Sequence, residues 1–313
     1  MSKYRHALQP LMDRPFLTDG GLETTLIFHE GIELPMFAAF DLLRTEAGTA
    51  QLRRYYARYA ELAREQGLGL VLETPTWRAN PDWGKSLGYD AKGLASANRR
   101  AIELMLGIRA QYESTQCPMP ISGNLGPRGD GYVPGQRMSM AEAAVYHHPQ
   151  IRVFADTAAD LVSAFTMNYV EEAIGIAMAA RDCDMPVVIS FTLETDGNLP
   201  SGDSLAQAIE RVDAETAGYP VYYMINCAHP THFERVFSEA AAWHHRIRGL
   251  RTNASMRSHA ELDSCSDLDD GNPDELGLQH RRLKSMLPQL TVLGGCCGTD
   301  HRHVEAICRA AFA

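Results

Sequence analysis

The chain has 313 residues and a formal net charge of −10. It lacks the basic stripe that neutralises phosphates, so nucleic acid is not expected as a partner. No apolar run reaches the ~20 residues of a membrane span, and the opening Met1-Ser2-Lys3-Tyr4-Arg5-His6 leads into no apolar signal core, so neither a membrane nor a secreted location is expected.

In chain order, short apolar runs alternate with longer amphipathic stretches. Strands are expected at Phe16–Thr18, Leu68–Glu73, Pro120–Gly123, Leu161–Thr166, Val187–Thr192, Val221–Cys227, Ile247–Thr252 and Leu290–Gly294. Helices are expected at Thr45–Gln66, Ala91–Tyr112, Ser139–Asp160, Val170–Arg181, Ser204–Glu215, His232–His245, Glu275–Met286 and Asp300–Phe312. Pro149 is expected to break or kink the third of these. Eight strands, each followed by a helix, is the count of a (β/α)8 TIM barrel, here a single domain over residues 1–313. A doubly wound sheet is the alternative, but it usually carries its ligand on fewer loops. The acidic segment Ser255–Pro273 reads as a long loop after strand seven, at the face where barrel active sites lie.

The candidate site residues sit at strand ends. Asp19-Gly20-Gly21 ends strand one; its carboxylate suits a substrate ammonium group, or simply caps the next segment. Glu73-Thr74-Pro75-Thr76-Trp77 ends strand two, with Glu73 facing either the mouth or solvent. Asn124 reads as a loop former, and Asn253 either binds a carboxylate or turns the chain. His147 and His148 are adjacent on a helix and point apart, which disfavours a shared metal.

Seven cysteines do not read as a disulfide framework, and a reducing cytoplasm fits. Cys117, Cys183, Cys265 and Cys308 read as packing thiols. The run Gly294-Gly295-Cys296-Cys297-Gly298-Thr299 is different. Adjacent cysteines rarely bond to each other, but they can present two thiolates to one metal. Cys227, ending strand six, is the candidate third ligand of a zinc site with one open position, at Zn–S distances of about 2.3 Å.

Together these residues resemble the homocysteine S-methyltransferase family. The landmarks run in order: Asp19-Gly20-Gly21, Glu73-Thr74-Pro75-Thr76-Trp77-Arg78-Ala79-Asn80, Asn98-Arg99-Arg100-Ala101, Gly126-Pro127, Ser190-Phe191-Thr192, Asn226-Cys227, Asn253-Ala254 and Gly294–Thr299. The resemblance implies a barrel in which Cys227, Cys296 and Cys297 bind Zn2+. It also implies a small-molecule thiol acceptor, homocysteine, and a sulfonium or quaternary ammonium methyl donor, with methionine as product. Asp19, Gly20, Gly21, Glu73, Thr74, Trp77, Phe165, Asn226 and Asn253 are then the candidate substrate residues. Trp77, Trp83 and Tyr132 are candidates to hold the donor cation by cation–π attraction. A cytoplasmic transferase of unspecified oligomeric state is expected.

Two departures stand out. Pro75 occupies a position where the family often has Asn, and Phe165 replaces the Glu that ends strand four and holds the homocysteine amino group. Either Asp19 and Glu73 supply the charge instead, or the acceptor lacks that amino group. The residues also admit a subunit that takes its methyl group from a separate corrinoid protein, since the chain has no room for a cobalamin domain, and a non-catalytic zinc- or thiol-binding barrel.

Overall fold

The computed structural model describes residues 1–8, 13–265 and 267–312. Nine strand segments form one parallel sheet: β1 (Phe16–Leu17), β2 (Gly69–Leu70), β3 (Leu72–Glu73), β4 (Ile121–Leu125), β5 (Leu161–Met167), β6 (Val187–Phe191), β7 (Tyr222–Asn226), β8 (Ile247–Thr252) and β9 (Val292–Gly295). Pairing runs β2-β1-β9-β8-β7-β6-β5-β4-β3. Because β2 and β3 are two halves of one stave, interrupted at Val71, this order closes on itself. The fold is the expected (β/α)8 barrel.

The longer helices are α1 (Glu46–Glu65), α2 (Ala91–Tyr112), α3 (Met140–Ala155), α4 (Val170–Asp182), α5 (Leu205–Thr216), α6 (Pro273–Met286) and α7 (His301–Ala311). Their starts follow from side-chain caps. Thr45, Asp90, Ser139, Ser204 and Asn272 each accept a backbone N–H three residues on, satisfying donors that the first helical turn leaves free.

Two helix expectations need correction. Pro149 does not break α3, which continues through it to Ala155; packing along α4 and buried Ile151 and Phe154 outweigh the one lost hydrogen bond. The stretch after β7 is not one helix over 232–245. It is Pro230–Phe233, then 3-10 turns at Glu234–Phe237 and Ala242–Arg246. Phe237 packs against Trp243 at 5.9 Å between ring centroids, which folds the chain back rather than extending a helix.

Two apolar cores result. The larger lies between staves and helices. The smaller fills the barrel with Phe16, Val71, Leu161, Phe165, Val188, Tyr222, Met224 and Val292. Above it the lining turns polar. The register aligns Asn226 with Arg251 and Arg251 with Gly294, so Cys227 and Cys296 leave their strands at the same rim.

Candidate metal centre and substrate pocket

The cysteine cluster is assembled from two strand ends. Glycine is needed in its second strand because a Cβ on Gly294 would stand 1.9 Å from Thr18 Oγ1, and one on Gly295 would stand 2.0 Å from Thr299 Oγ1. Cys227 leaves β7 in the left-handed region, φ +54°, a conformation that costs a non-glycine residue energy. Its backbone is held on both sides: its N–H donates to Arg251 O, and its carbonyl accepts from His259 Nε2 at 2.5 Å. His259 Nδ1 in turn lies 3.1 Å from Glu194 Oε1.

The ligand atoms of Cys227, Cys296 and Cys297 all lie within 4.8 Å of one another. Cys227 and Cys296 are joined here by a disulfide, with Cα atoms 5.4 Å apart, and Cys297 Sγ lies 3.9 Å from Cys227 Sγ. The expectation of free thiols is thus corrected for these two. The closed barrel puts them in bonding reach, which their separation of 69 residues conceals. Cys117, Cys183, Cys265, Cys297 and Cys308 are free. Three soft sulfur donors on one rim fit a zinc-type ion once the disulfide is reduced. Cys297 opens onto the pocket yet sits deep among protein atoms, and burial raises its thiol pKa. The Tyr132 hydroxyl lies 3.6 Å from its sulfur, and the Tyr132 ring packs on His259 at 4.2 Å between centroids.

Below the sulfurs is a cavity of about 400 Å³. All nine expected substrate residues line or border it; Asp19, Gly20, Gly21, Glu73, Thr74, Trp77, Phe165, Asn226 and Asn253 are there together. They do not all offer free groups. Asn226 Oδ1 accepts from Thr166 N and Ser190 Oγ, and its Nδ2 donates to Thr166 Oγ1, so this side chain braces β5 and β6. Thr74 Oγ1 pairs with Thr76 Oγ1 and accepts from Asn124 N. Trp77 Nε1 donates to Phe165 O. Asn253 Oδ1, by contrast, is buried without a partner.

The floor carries a residue not singled out from the sequence, Arg251. It is 8% exposed. Its Nη2 lies 2.9 Å from Asp19 Oδ1 and donates to Gly20 O, its Nε donates to Gly295 O, and its guanidinium lies 4.9 Å from the Phe165 ring centre. Burial works against its charge, but Asp19 and Glu73 outweigh that and raise its pKa. Glu73 Oε1 accepts from Ser163 Oγ, while Oε2 is buried without a partner. Burial pushes the Glu73 pKa up to about 7, against the pull of Arg251. Glu23, also on the pocket wall and also not anticipated, is raised to about 7 for the same first reason. The signal for Arg251 was present: a charged residue at an inward position of an apolar strand, in Ile247-Arg248-Gly249-Leu250-Arg251.

Trp83 does not line the pocket. Its ring carries Arg78 at 3.8 Å, and Trp77 carries the same guanidinium at 5.0 Å. Of the three aromatic candidates for a donor cation, Tyr132 is the one whose face is not taken by an arginine. His147, buried, pairs with Glu172 at 2.8 Å, a contact between α3 and α4.

Residues 16–311 match the profile of the homocysteine S-methyltransferase family. The chain belongs to that family. It is a methyltransferase, and homocysteine is the acceptor that goes with the family. Homocysteine S-methyltransferase 2 of Arabidopsis thaliana is 24% identical over 249 residues, 70% of this chain and 73% of that protein. The fold matches the homocysteine methyltransferase MmuM of Escherichia coli. Its oxidized form superposes with a TM-score of 0.75 at 20% identity, covering 98% of this chain and 99% of that one. Its metallated form gives 0.71 at 19%, covering 97% and 99%. No helix among the described residues of this family member is long and apolar enough to cross a membrane.

Proposed function

We propose that the chain is a zinc-dependent homocysteine S-methyltransferase that draws its methyl group from a sulfonium or quaternary ammonium donor. The observation that carries this is the convergence of Cys227, Cys296 and Cys297 within 4.8 Å at the pocket rim. Held there by the three reduced cysteines, zinc would supply the charge that keeps a substrate thiol deprotonated, which a free thiol of pKa about 8.5 is not at neutral pH.

The chain's own residues orient the acceptor. Its ammonium group fits against Asp19 and Glu73, whose buried Oε2 has no other partner. Arg251 shares this floor and gives its Nη2 to Asp19 and Gly20 O and its Nε to Gly295 O. The buried Glu73 Oε2 is thus an unclaimed acidic atom on the floor, and this supports an acceptor that keeps its amino group although Phe165 has replaced the carboxylate of strand four. The sulfur lone pair forms the new bond to the methyl carbon. The electrons of the breaking bond return to the donor sulfur or nitrogen, which leaves neutral, so no general acid is required. Positioning and exclusion of water do much of the remaining work. Thiol ligation fits a reducing compartment such as the cytoplasm.

The test is methionine formation by the reduced, zinc-loaded enzyme from homocysteine with S-methylmethionine, S-adenosylmethionine or glycine betaine. Zinc X-ray absorption runs beside it, where three sulfur ligands should rise to four on adding homocysteine. Product appearing only with an added corrinoid protein would overturn the donor assignment. Three sulfurs that stay three would overturn the acceptor.

A further inference from the structure

Glu23 is a carboxylate of the pocket wall that the acceptor does not use. It lies on the short helical turn Leu22–Thr24 that follows β1, where Leu22 and Thr24 are buried and Glu23 lines the cavity. That turn is fastened to the cysteine loop. The Gly21 N–H donates to Thr299 O at 3.0 Å, and the Gly298 N–H donates to Thr24 Oγ1 at 3.1 Å. The approach is so close that a Cβ on Gly21 would stand 2.6 Å from Cys296 O. Glu23 therefore has a fixed place beside the sulfur cluster.

Among the described residues, the Glu23 carboxylate makes no ion pair and no hydrogen bond to another side chain. The pocket's guanidiniums are committed elsewhere: Arg251 to Asp19, Gly20 O and Gly295 O, and Arg78 to the faces of Trp83 and Trp77. The charge of Glu23 is nonetheless felt from floor to mouth, at Asp19, Cys297, Tyr132 and Arg78. Burial pushes its pKa up to about 7. An enclosed carboxylate without a counter-charge is costly to ionise, and a cation entering the cavity removes that cost. The acceptor's ammonium group has its place on the floor with Asp19 and Glu73. The remaining cation is the donor's onium centre, which must come up to the sulfur rim where Glu23 stands. A sulfonium or quaternary ammonium has no N–H to give, so nearby negative charge holds it and not a directed hydrogen bond.

We propose that Glu23 is the counter-charge of the methyl donor: its carboxylate pairs with the onium centre and makes the enzyme select charged methyl donors over uncharged ones. This rests on the pocket being the methyl-transfer site. It gives donor selection a residue of its own, apart from the Asp19 and Glu73 of the acceptor floor.

The experiment compares the reduced, zinc-loaded wild type with Glu23→Gln, which keeps the size of the side chain and removes its charge. Methyl iodide, an uncharged donor that releases iodide when the homocysteine sulfur takes its methyl group, is set against an onium donor. The onium donor is whichever of S-methylmethionine, S-adenosylmethionine and glycine betaine gives methionine. In the variant, kcat/KM for the onium donor should fall about tenfold or more, the scale of one charge contact in a cavity, while that for methyl iodide changes less than about twofold. Equal losses with both donors would make Glu23 a structural residue and overturn the proposal. A raised homocysteine KM with the donor ratio intact would assign Glu23 to the acceptor and overturn it equally. Should no onium donor react, calorimetry still decides, and it separates failure of the reaction from failure of the proposal. It compares glycine betaine with 3,3-dimethylbutyrate, in which carbon replaces the charged nitrogen. A wild-type preference for the betaine that Glu23→Gln abolishes supports the counter-charge. A preference that the variant keeps, or no preference at all, removes it.

Discussion

Arg251 and Asp19 form a buried ion pair, 2.9 Å from Nη2 to Oδ1, at the base of the pocket. Their side chains are 9% and 6% exposed, so water screens them little. Breaking such a pair strands a charge in the protein interior. Arg251→Met should therefore cost about 3–5 kcal/mol of stability, measured as a lower urea midpoint. The double variant with Asp19→Asn should recover part of that loss, because no orphan carboxylate remains. A single-variant cost below about 1 kcal/mol would mean that the pair is solvated.

The proposed contact of Glu73 with the acceptor's amino group predicts that acceptor binding depends on pH. Its carboxyl, of pKa about 7 in the fold against 4.5 ordinarily, is protonated in the folded protein across that window while the unfolded chain has lost the proton. Glu73 therefore subtracts stability as pH rises from 4.5 through 7, by on the order of 3 kcal/mol, and Glu73→Gln should flatten that decline. Only the ionised carboxylate pairs well with an ammonium group. The homocysteine KM should thus fall as pH rises through about 7 in the wild type, beyond any fall in Glu73→Gln, which keeps the other ionisations. Parallel profiles would take Glu73 out of acceptor binding. Glu23 is raised to the same value and faces the same cavity, so Glu23→Gln is the necessary control.

Thiol counting separates the two states of the cysteine cluster. Without reductant and metal, five of the seven cysteines should react with a thiol reagent under denaturing conditions, since Cys227 and Cys296 are bonded. After reduction all seven should react. Reduced protein should then take up about one zinc per chain. Cys297→Ser should lose it, whereas Cys308→Ser should keep it, because Cys308 is buried on α7 away from the cluster. Seven reactive thiols before reduction would remove the disulfide from the isolated protein.

The sequence exposed the parts of the site that are contiguous and chemically unusual. Gly294–Thr299 and Asn226-Cys227 announce a sulfur cluster because no packing argument needs two adjacent cysteines between glycines. Asp19 and Glu73 were visible as acids at strand ends. Arg251 carried only the signal of a charge within a strand; its role was hidden because its partners, Asp19 and the carbonyls of Gly20 and Gly295, come from strands far away in the chain and meet it only when the barrel closes. The same closure joins Cys227 to Cys296. Asn226 was legible as a site residue but not as a brace, since hydrogen bonds to Thr166 and Ser190 depend on the order of neighbouring staves. For the stretch after β7, the helix expected over His232–His245 gives way to short turns in which Trp243 packs back on Phe237.

His259 ties the long acidic loop to the metal rim. From the short helix His259–Asp263 it reaches the Cys227 carbonyl at 2.5 Å, while Glu194 fixes its other nitrogen at 3.1 Å. Cys227 needs this because its φ of +54° is not its relaxed conformation. Partners that orient metal ligands are typically worth 10–100-fold in metal affinity, so His259→Ala should weaken zinc binding by about tenfold in competition with a chelator. Glu194→Gln, which leaves the ring in place, should cost less. The loss should be larger for affinity than for overall stability, because His259 packs at the rim and not in either core. If His259→Ala lowers the unfolding midpoint but leaves zinc affinity unchanged, the histidine only fastens the loop, and Cys227 is held by its own strand.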